Sequence, residues 1–275
     1  MSRLSGVFRD LREKNGKGLI PYVVAGDPSP EGTVALLHSL VEAGADVLEV
    51  GVPFSDPMSE GLVIQQGHER ALANGMSLQR VLEMVAAFRR DNEATPIVMM
   101  GYANPIERFG YDAFAMACAD AGVDGLITVD LPPEEVDAID GALASVGLDN
   151  IFLISPTTPE ARIQTIVERA RGFIYYVAVK GVTGSGQLDA DEVARNISVI
   201  RQKTTLPVAV GFGIKDATSA SAVAASADAV VVGSALIAEM QQKAQSGVDL
   251  EEIQIHGAAV ELLQSIRAGV DSSPS

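Results

Sequence analysis

The chain has 275 residues, 47% of them hydrophobic and 5% aromatic, with no Trp; this fits one large α/β domain with an aliphatic core better than two small domains. Its formal net charge of −16 argues against nucleic acid or an anionic membrane as partner, so any anionic ligand must be held by local devices. The single cysteine, Cys118, excludes an internal disulfide, the scattered His38, His68 and His256 lack metal-ligand spacing, and no apolar run reaches the roughly 18 residues of a membrane span.

Leu4, Val7, Phe8 and Leu11 follow helical spacing with Arg and Asp between them, the pattern of a short amphipathic helix rather than a secretory leader. Eight short apolar runs come next, at 19–25, 47–50, 97–101, 125–129, 151–154, 174–178, 208–210 and 229–232. They are continuous rather than alternating, as expected for parallel strands buried on both faces. Amphipathic helical patterns fall between them, among them 33–43, 78–90, 111–121, 134–146, 160–169 and 190–201. Ala-Gly-Ala-Asp at 43–46 and Ala-Gly-Val-Asp at 121–124 punctuate helix ends that lead into strands. Cys118, in an Ala-rich helical stretch, reads as a buried small hydrophobe.

This alternation predicts an α/β fold, a single (β/α)8 TIM barrel over 1–270 with an extra N-terminal helix, and a frayed tail at 271–275. The alternative is an open doubly wound sheet, but that carries a glycine-rich turn after its first strand. Here the turn is Ala25-Gly26-Asp27-Pro28. Long segments follow the second and sixth strands, at 53–61 and 179–188. In a barrel both lie on the face where sites are built, and long loops there commonly serve as lids.

Glu49 ends the apolar run Val47-Leu48-Glu49-Val50-Gly51. A carboxylate in a buried strand is costly unless neutral or paired. An apolar setting raises its pKa and makes it a proton donor and acceptor near neutral pH; the other reading is a salt-bridged strand end. Glu60 sits in the loop that follows. Facing Glu49, it would let one proton add while another leaves; alone, it is a solvated loop residue. Gly181 to Gly186, Gly211-Phe212-Gly213 and Gly233-Ser234 stand at three neighbouring strand ends. Each motif alone could be a turn; the three together, with the dipole of the last helix, point to a phosphate cradle of backbone N–H groups that needs no basic side chain. Tyr22, Met100, Tyr102, Ile127, Tyr175 and Phe212 lie at or near strand C-termini and could line a flat apolar pocket for an aromatic ring, with ordinary core packing the other reading for Met100 and Ile127.

These features together resemble the tryptophan synthase alpha subunit family. The matching stretches are Ala25-Gly26-Asp27-Pro28, Leu48 to Pro57, Met100-Gly101-Tyr102, Asn104-Pro105, Asp130-Leu131-Pro132-Pro133-Glu134-Glu135, Gly181-Val182-Thr183-Gly184, Gly211-Phe212-Gly213-Ile214 and Gly233-Ser234. They run in family order over essentially the whole chain. The resemblance implies reversible retro-aldol cleavage of indole-3-glycerol phosphate to indole and glyceraldehyde 3-phosphate. Glu49 would be the general acid and base. Glu60 would meet the indole N–H, and Thr183 would contact Glu60. Gly184, Gly213, Gly233 and Ser234 would bind phosphate, with Tyr175 and Phe212 in the pocket. It also implies a cytoplasmic protein with no cofactor or metal on this chain. The partner would be a beta subunit carrying pyridoxal phosphate, in an alpha-beta-beta-alpha heterotetramer. The 53–56 loop and the turns at 104–105 and 132–133 would face that partner.

Three positions depart from the family pattern: Glu60 stands where Asp is usual, Leu62 where Pro is common, and Tyr22 where Phe is usual. One rival reading is another phosphate-binding barrel that uses a Lys or an Asp/Cys pair at strand ends, yet the apolar strand ends here offer no such lysine, and Lys180 lies in a loop. A second rival, motivated by Glu60 and Leu62, is a catalytically weakened subunit that mainly activates its beta partner by contact.

Overall fold

A computed structural model describes residues 2–178, 190–211, 213–245 and 252–273 of the chain. The chain runs through α1 (Arg3–Glu13), β1 (Gly18–Val24), α2 (Thr33–Glu42), β2 (Leu48–Gly51), α3 (Leu62–Ala73), α4 (Leu78–Arg89) and β3 (Ile97–Gly101). It continues with α5 (Ala103–Phe109), α6 (Tyr111–Ala121), β4 (Gly125–Thr128), α7 (Asp137–Ser145), β5 (Asp149–Ile154), α8 (Glu160–Arg169) and β6 (Ile174–Val177). The last elements are α9 (Ala190–Arg201), β7 (Val208–Gly211), α10 (Ala217–Ala224), β8 (Ala229–Val232), α11 (Ser234–Ala244) and α12 (Glu252–Asp271). The strands pair in sequence order, β1 closes on β8 in parallel, and the result is the closed barrel read from the sequence.

Every residue of β1, β2, β7 and β8 is buried, because one face meets the helices and the other the barrel interior. Ile20, Val47, Val98, Ile127, Ile151, Ala209 and Ala229 fill that interior. α1 plugs its base. Leu4 and Phe8 are buried there, and the Phe8 ring lies 5.6 Å from that of Phe173. The site must therefore open at the other end.

The aspartates that lead into three of the strands, two of them in the Gly-x-Asp punctuation at 44–46 and 122–124, have a structural use. Asp46, Asp124 and Asp228 each precede an even-numbered strand. Each carboxylate accepts an N–H at the start of the preceding odd strand: Leu19, second in β1, at 2.8 Å, and Ile97 and Val208, first in β3 and β7, each at 2.8 Å. N–H groups at a sheet end can lack a ladder partner, and the aspartate supplies one. Asp124 also accepts from Arg3 at 2.9 Å and Arg89 at 2.8 Å, which pins α1 and α4 to the barrel base.

Two boundaries differ from the sequence reading. The helix expected over 134–146 starts only at Asp137, because Pro132 and Pro133 hold the chain in a turn, closed by the Glu135 N–H on the Pro132 carbonyl at 2.9 Å. α12 includes Asp271, paired with Arg267 at 2.6 Å one turn back. The long segment expected at 179–188 lies outside the described residues. Cys118 is buried, as expected. No helix among the described residues is long and apolar enough to cross a membrane.

Candidate active site

Glu49 lies on the face of β2 that points into the barrel, in line with Val47 below and Gly51 above. It is 1% exposed, and neither carboxylate oxygen has a hydrogen-bond partner among the described residues. The salt-bridged reading is thus not what the fold builds. Burial, and secondly the nearby Glu60 charge, push its pKa up to about 8.

Glu60 is half-buried on the loop between β2 and α3. Burial raises its carboxyl to about 7. The loop is tied down along its length. The Phe54 ring stacks on Tyr102 at 4.9 Å, and the Ser59 N–H donates to the Tyr102 hydroxyl at 3.3 Å. The Gln65 side chain donates to the Glu60 carbonyl at 2.8 Å, and the Phe54 N–H donates to His68 Nδ1 at 3.0 Å. α3 carries His68 and is itself anchored by a bidentate pair from Arg70 to Asp27, at 2.7 and 2.9 Å.

Tyr22 and Tyr175 project into the barrel mouth where glycines leave room. A Cβ on Gly211 would stand 2.4 Å from the Tyr175 hydroxyl, and one on Gly233 would stand 2.9 Å from the Tyr22 ring. These glycines therefore serve side-chain insertion as well as any anion. Burial, with the charges of Glu49 and Glu60, drives both phenols well above the ordinary tyrosine range, so each keeps its proton.

The cavity so formed holds ≈ 420 Å³, enough for a small aromatic ligand with a polar tail. Glu49, Glu60, Tyr22, Met100, Tyr175, Gly213, Gly233 and Ser234 all line it, which brings together most of the residues singled out in the sequence. Gly213, Gly233 and Ser234 mark one end, where Ser234 opens α11 and its N-terminal N–H groups face an anion favourably. Among the described residues no cluster of metal-ligating side chains occurs.

Two expected pocket residues are placed elsewhere. Ile127 is fully buried one same-face step below Val129, in the layer beneath the floor, and Val129 lines the cavity instead. Tyr102 supports the loop and does not line the cavity. Thr183, Gly184 and Phe212 lie outside the described residues. Sequence reasoning missed Ile64, Leu153, Lys215 and the supporting His68. The 64–67–68–71 spacing of buried positions on α3 was the available signal for His68.

Residues 8–264 match the family model described as tryptophan synthase alpha chain. The chain is 55% identical to the tryptophan synthase alpha chain of Bordetella parapertussis, over 98% of this chain and 95% of that one. It is 51% identical to that of Marinobacter nauticus, over 99% of each. Among solved structures, subunit alpha of tryptophan synthase from Legionella pneumophila superposes with a TM-score of 0.90 at 44% identity, covering 98% of this chain and 99% of that one. Tryptophan synthase from M. tuberculosis in its aminoacrylate-bound form gives 0.86 at 34% identity, covering 98% and 100%. With its full barrel, its cavity and this degree of likeness, the chain belongs to the tryptophan synthase alpha chain family.

Proposed function

We propose that Glu49 is the general acid and base, and Glu60 its charged partner, in the cleavage of indole-3-glycerol phosphate. The chain is a carbon–carbon lyase of that family: it cleaves indole-3-glycerol phosphate to indole and glyceraldehyde 3-phosphate, and pyridoxal phosphate belongs to the beta subunit. The observation that carries the residue assignment is the buried, unpaired Glu49 lining one cavity together with Glu60.

Breaking the bond from indole C3 to the glycerol carbon needs a proton at C3 and loss of one from the adjacent hydroxyl. Glu49, the more strongly raised of the two carboxyls, holds a proton at neutral pH and delivers it to C3. Positive charge then develops at the ring nitrogen, where ionised Glu60 accepts the N–H. The Glu49 carboxylate next takes the hydroxyl proton. The carbon–carbon electron pair moves into the ring, indole leaves, and the carbonyl of glyceraldehyde 3-phosphate forms. Because the two carboxyls interact, their protons come off as those of a pair.

Met100, Val129 and Leu153 offer the apolar floor for the indole ring. Gly213, Gly233 and Ser234 offer N–H groups to the phosphate; by resemblance Gly184 joins them, Thr183 contacts Glu60 and Phe212 belongs to the pocket. The test is turnover of indole-3-glycerol phosphate by the purified chain and its Glu49→Gln variant. Loss of indole release in the variant supports the assignment, and an unchanged rate overturns it.

Family membership implies partnership with a beta subunit. The alpha-beta-beta-alpha heterotetramer and a cytoplasmic location are our further reading. Co-purification with the beta subunit, sizing of the complex and cell fractionation test them.

A further inference from the structure

His68 and Tyr22 form a hydrogen-bond path into the cavity that the cleavage scheme leaves unused. The Phe54 N–H donates to His68 Nδ1 at 3.0 Å, so the ring proton resides on Nε2. Burial lowers the His68 pKa to about 4, which keeps the ring neutral. Nε2 lies 3.4 Å from the Tyr22 hydroxyl. With its proton there, His68 is the donor and the Tyr22 oxygen the acceptor. The hydroxyl's own proton must then point away from His68, into the cavity.

The Tyr22 ring has little freedom to turn elsewhere. A Cβ on Gly233 would stand 2.9 Å from its Cδ1 and one on Gly51 only 2.3 Å from its oxygen, so the ring rests against both backbones. Tyr22 pairs in register with Glu49 across β1 and β2. Its hydroxyl lies beside Gly51, one same-face step beyond the Glu49 Cα along β2. The groups that face it are Glu60, Glu49, Tyr102 and Tyr175, with His68 from α3. Both Glu49 oxygens lie without a partner among the described residues.

We propose that Tyr22 donates a hydrogen bond to the Glu49 carboxylate once that group has given up its proton, with His68 as the positioning residue that sets the direction of the hydroxyl. No proton is transferred by Tyr22; its O–H stabilises the charge that appears on Glu49 during turnover. The proposal rests on the reading of Glu49 as the acid and base.

The test is the pH profile of kcat for indole-3-glycerol phosphate cleavage by the full chain and three variants. In Tyr22→Phe the ionised form of Glu49 loses a donor, so the Glu49 limb moves up by about one pH unit and kcat at neutral pH falls by on the order of tenfold, with KM little changed. His68→Gln keeps an N–H donor and an acceptor and retains the wild-type limb. His68→Phe moves the limb as Tyr22→Phe does. Should His68→Phe not fold, infrared titration of the Glu49 carboxyl stretch in wild type, Tyr22→Phe and His68→Gln reads the same shift. Coincident profiles for wild type and Tyr22→Phe overturn the proposal, and a shift in Tyr22→Phe with none in His68→Phe overturns the part given to His68. Cleavage that survives in Glu49→Gln overturns instead the acid–base reading beneath it.

Discussion

A Cβ on Gly51 would stand 2.3 Å from the Tyr22 hydroxyl oxygen and 2.8 Å from its Cζ, so the phenol occupies the space a side chain at Gly51 would need. Gly51→Ala is expected to destabilise the barrel by about 1–3 kcal/mol in urea denaturation, the usual cost of overpacking. Adding Tyr22→Phe should recover only part of this, because the ring carbon at 2.8 Å remains in the way. Full recovery would show that the hydroxyl alone made the clash.

Glu49 carries a stability cost that depends on pH. Its folded pKa of about 8 exceeds the ordinary 4.5. A carboxyl raised in this way contributes its full stability below the unfolded pKa, then loses it as pH rises through the folded pKa, because the unfolded chain ionises first. Glu49→Gln should therefore match wild type in thermal stability at about pH 4 and exceed it by on the order of 2–4 kcal/mol at about pH 9. Its cleavage activity should fall by about 10²–10⁴-fold. An equal gain at both pH values would trace the effect to packing rather than ionisation.

Glu60 is one methylene longer than the residue usual at that position, yet its loop is tied by Tyr102, Gln65 and His68. Removing its charge should be far worse than shortening it. Glu60→Ala is expected to lower kcat/KM by about 10²-fold, and Glu60→Asp to stay within about tenfold of wild type. Steady-state kinetics of the two variants decide the point; equal losses would assign the role to side-chain reach instead of charge.

Leu62 occupies the first helical position of α3 and is 69% exposed. Gly61 before it is extended, with φ −75° and ψ 163°, which a following proline favours. Leu62→Pro should thus stabilise the chain by about 0.4–1 kcal/mol, chiefly through the unfolded state, and leave Glu49 chemistry intact. Differential scanning calorimetry beside a cleavage assay checks both halves.

Asp124 is 4% exposed between Arg89 and Arg3 and also accepts the Ile97 N–H. Asp124→Ala leaves the Arg89 charge and that N–H unpaired at the barrel base. A loss of about 3–5 kcal/mol is expected in chemical denaturation, with KM unchanged in whatever folds, since the cavity lies at the other end. Arg89→Met with Asp124→Leu should recover much of the loss.

The barrel was legible because continuous apolar runs and helical patterns are local, and eight in alternation admit few topologies. Glu49 was legible for a similar reason: a carboxylate inside an apolar run stands out whatever packs around it. The strand-end glycines were visible too, but half of their work was not. That Gly51, Gly211 and Gly233 make space for tyrosines depends on residues from other strands.

Ile127 and Tyr102 show where the reading stopped. Alternation tells which face a residue takes but not its depth along the barrel axis. Depth is set by the stagger between neighbouring strands, and it placed Val129 at the cavity floor and Ile127 below it. His68 looked like one of three scattered histidines, because its partners Phe54 and Tyr22 are 14 and 46 residues away in sequence.

By itself, then, the sequence determined the barrel, the strand that carries Glu49 and the loop that carries Glu60, because these follow from residue type and local periodicity. Only the tertiary structure decided that Glu49 lies buried and unpaired in the same cavity as Glu60, with Tyr22 in contact with His68 nearby. Desolvation and hydrogen-bond direction depend on which distant groups close around a side chain, and the fold alone brings those groups together.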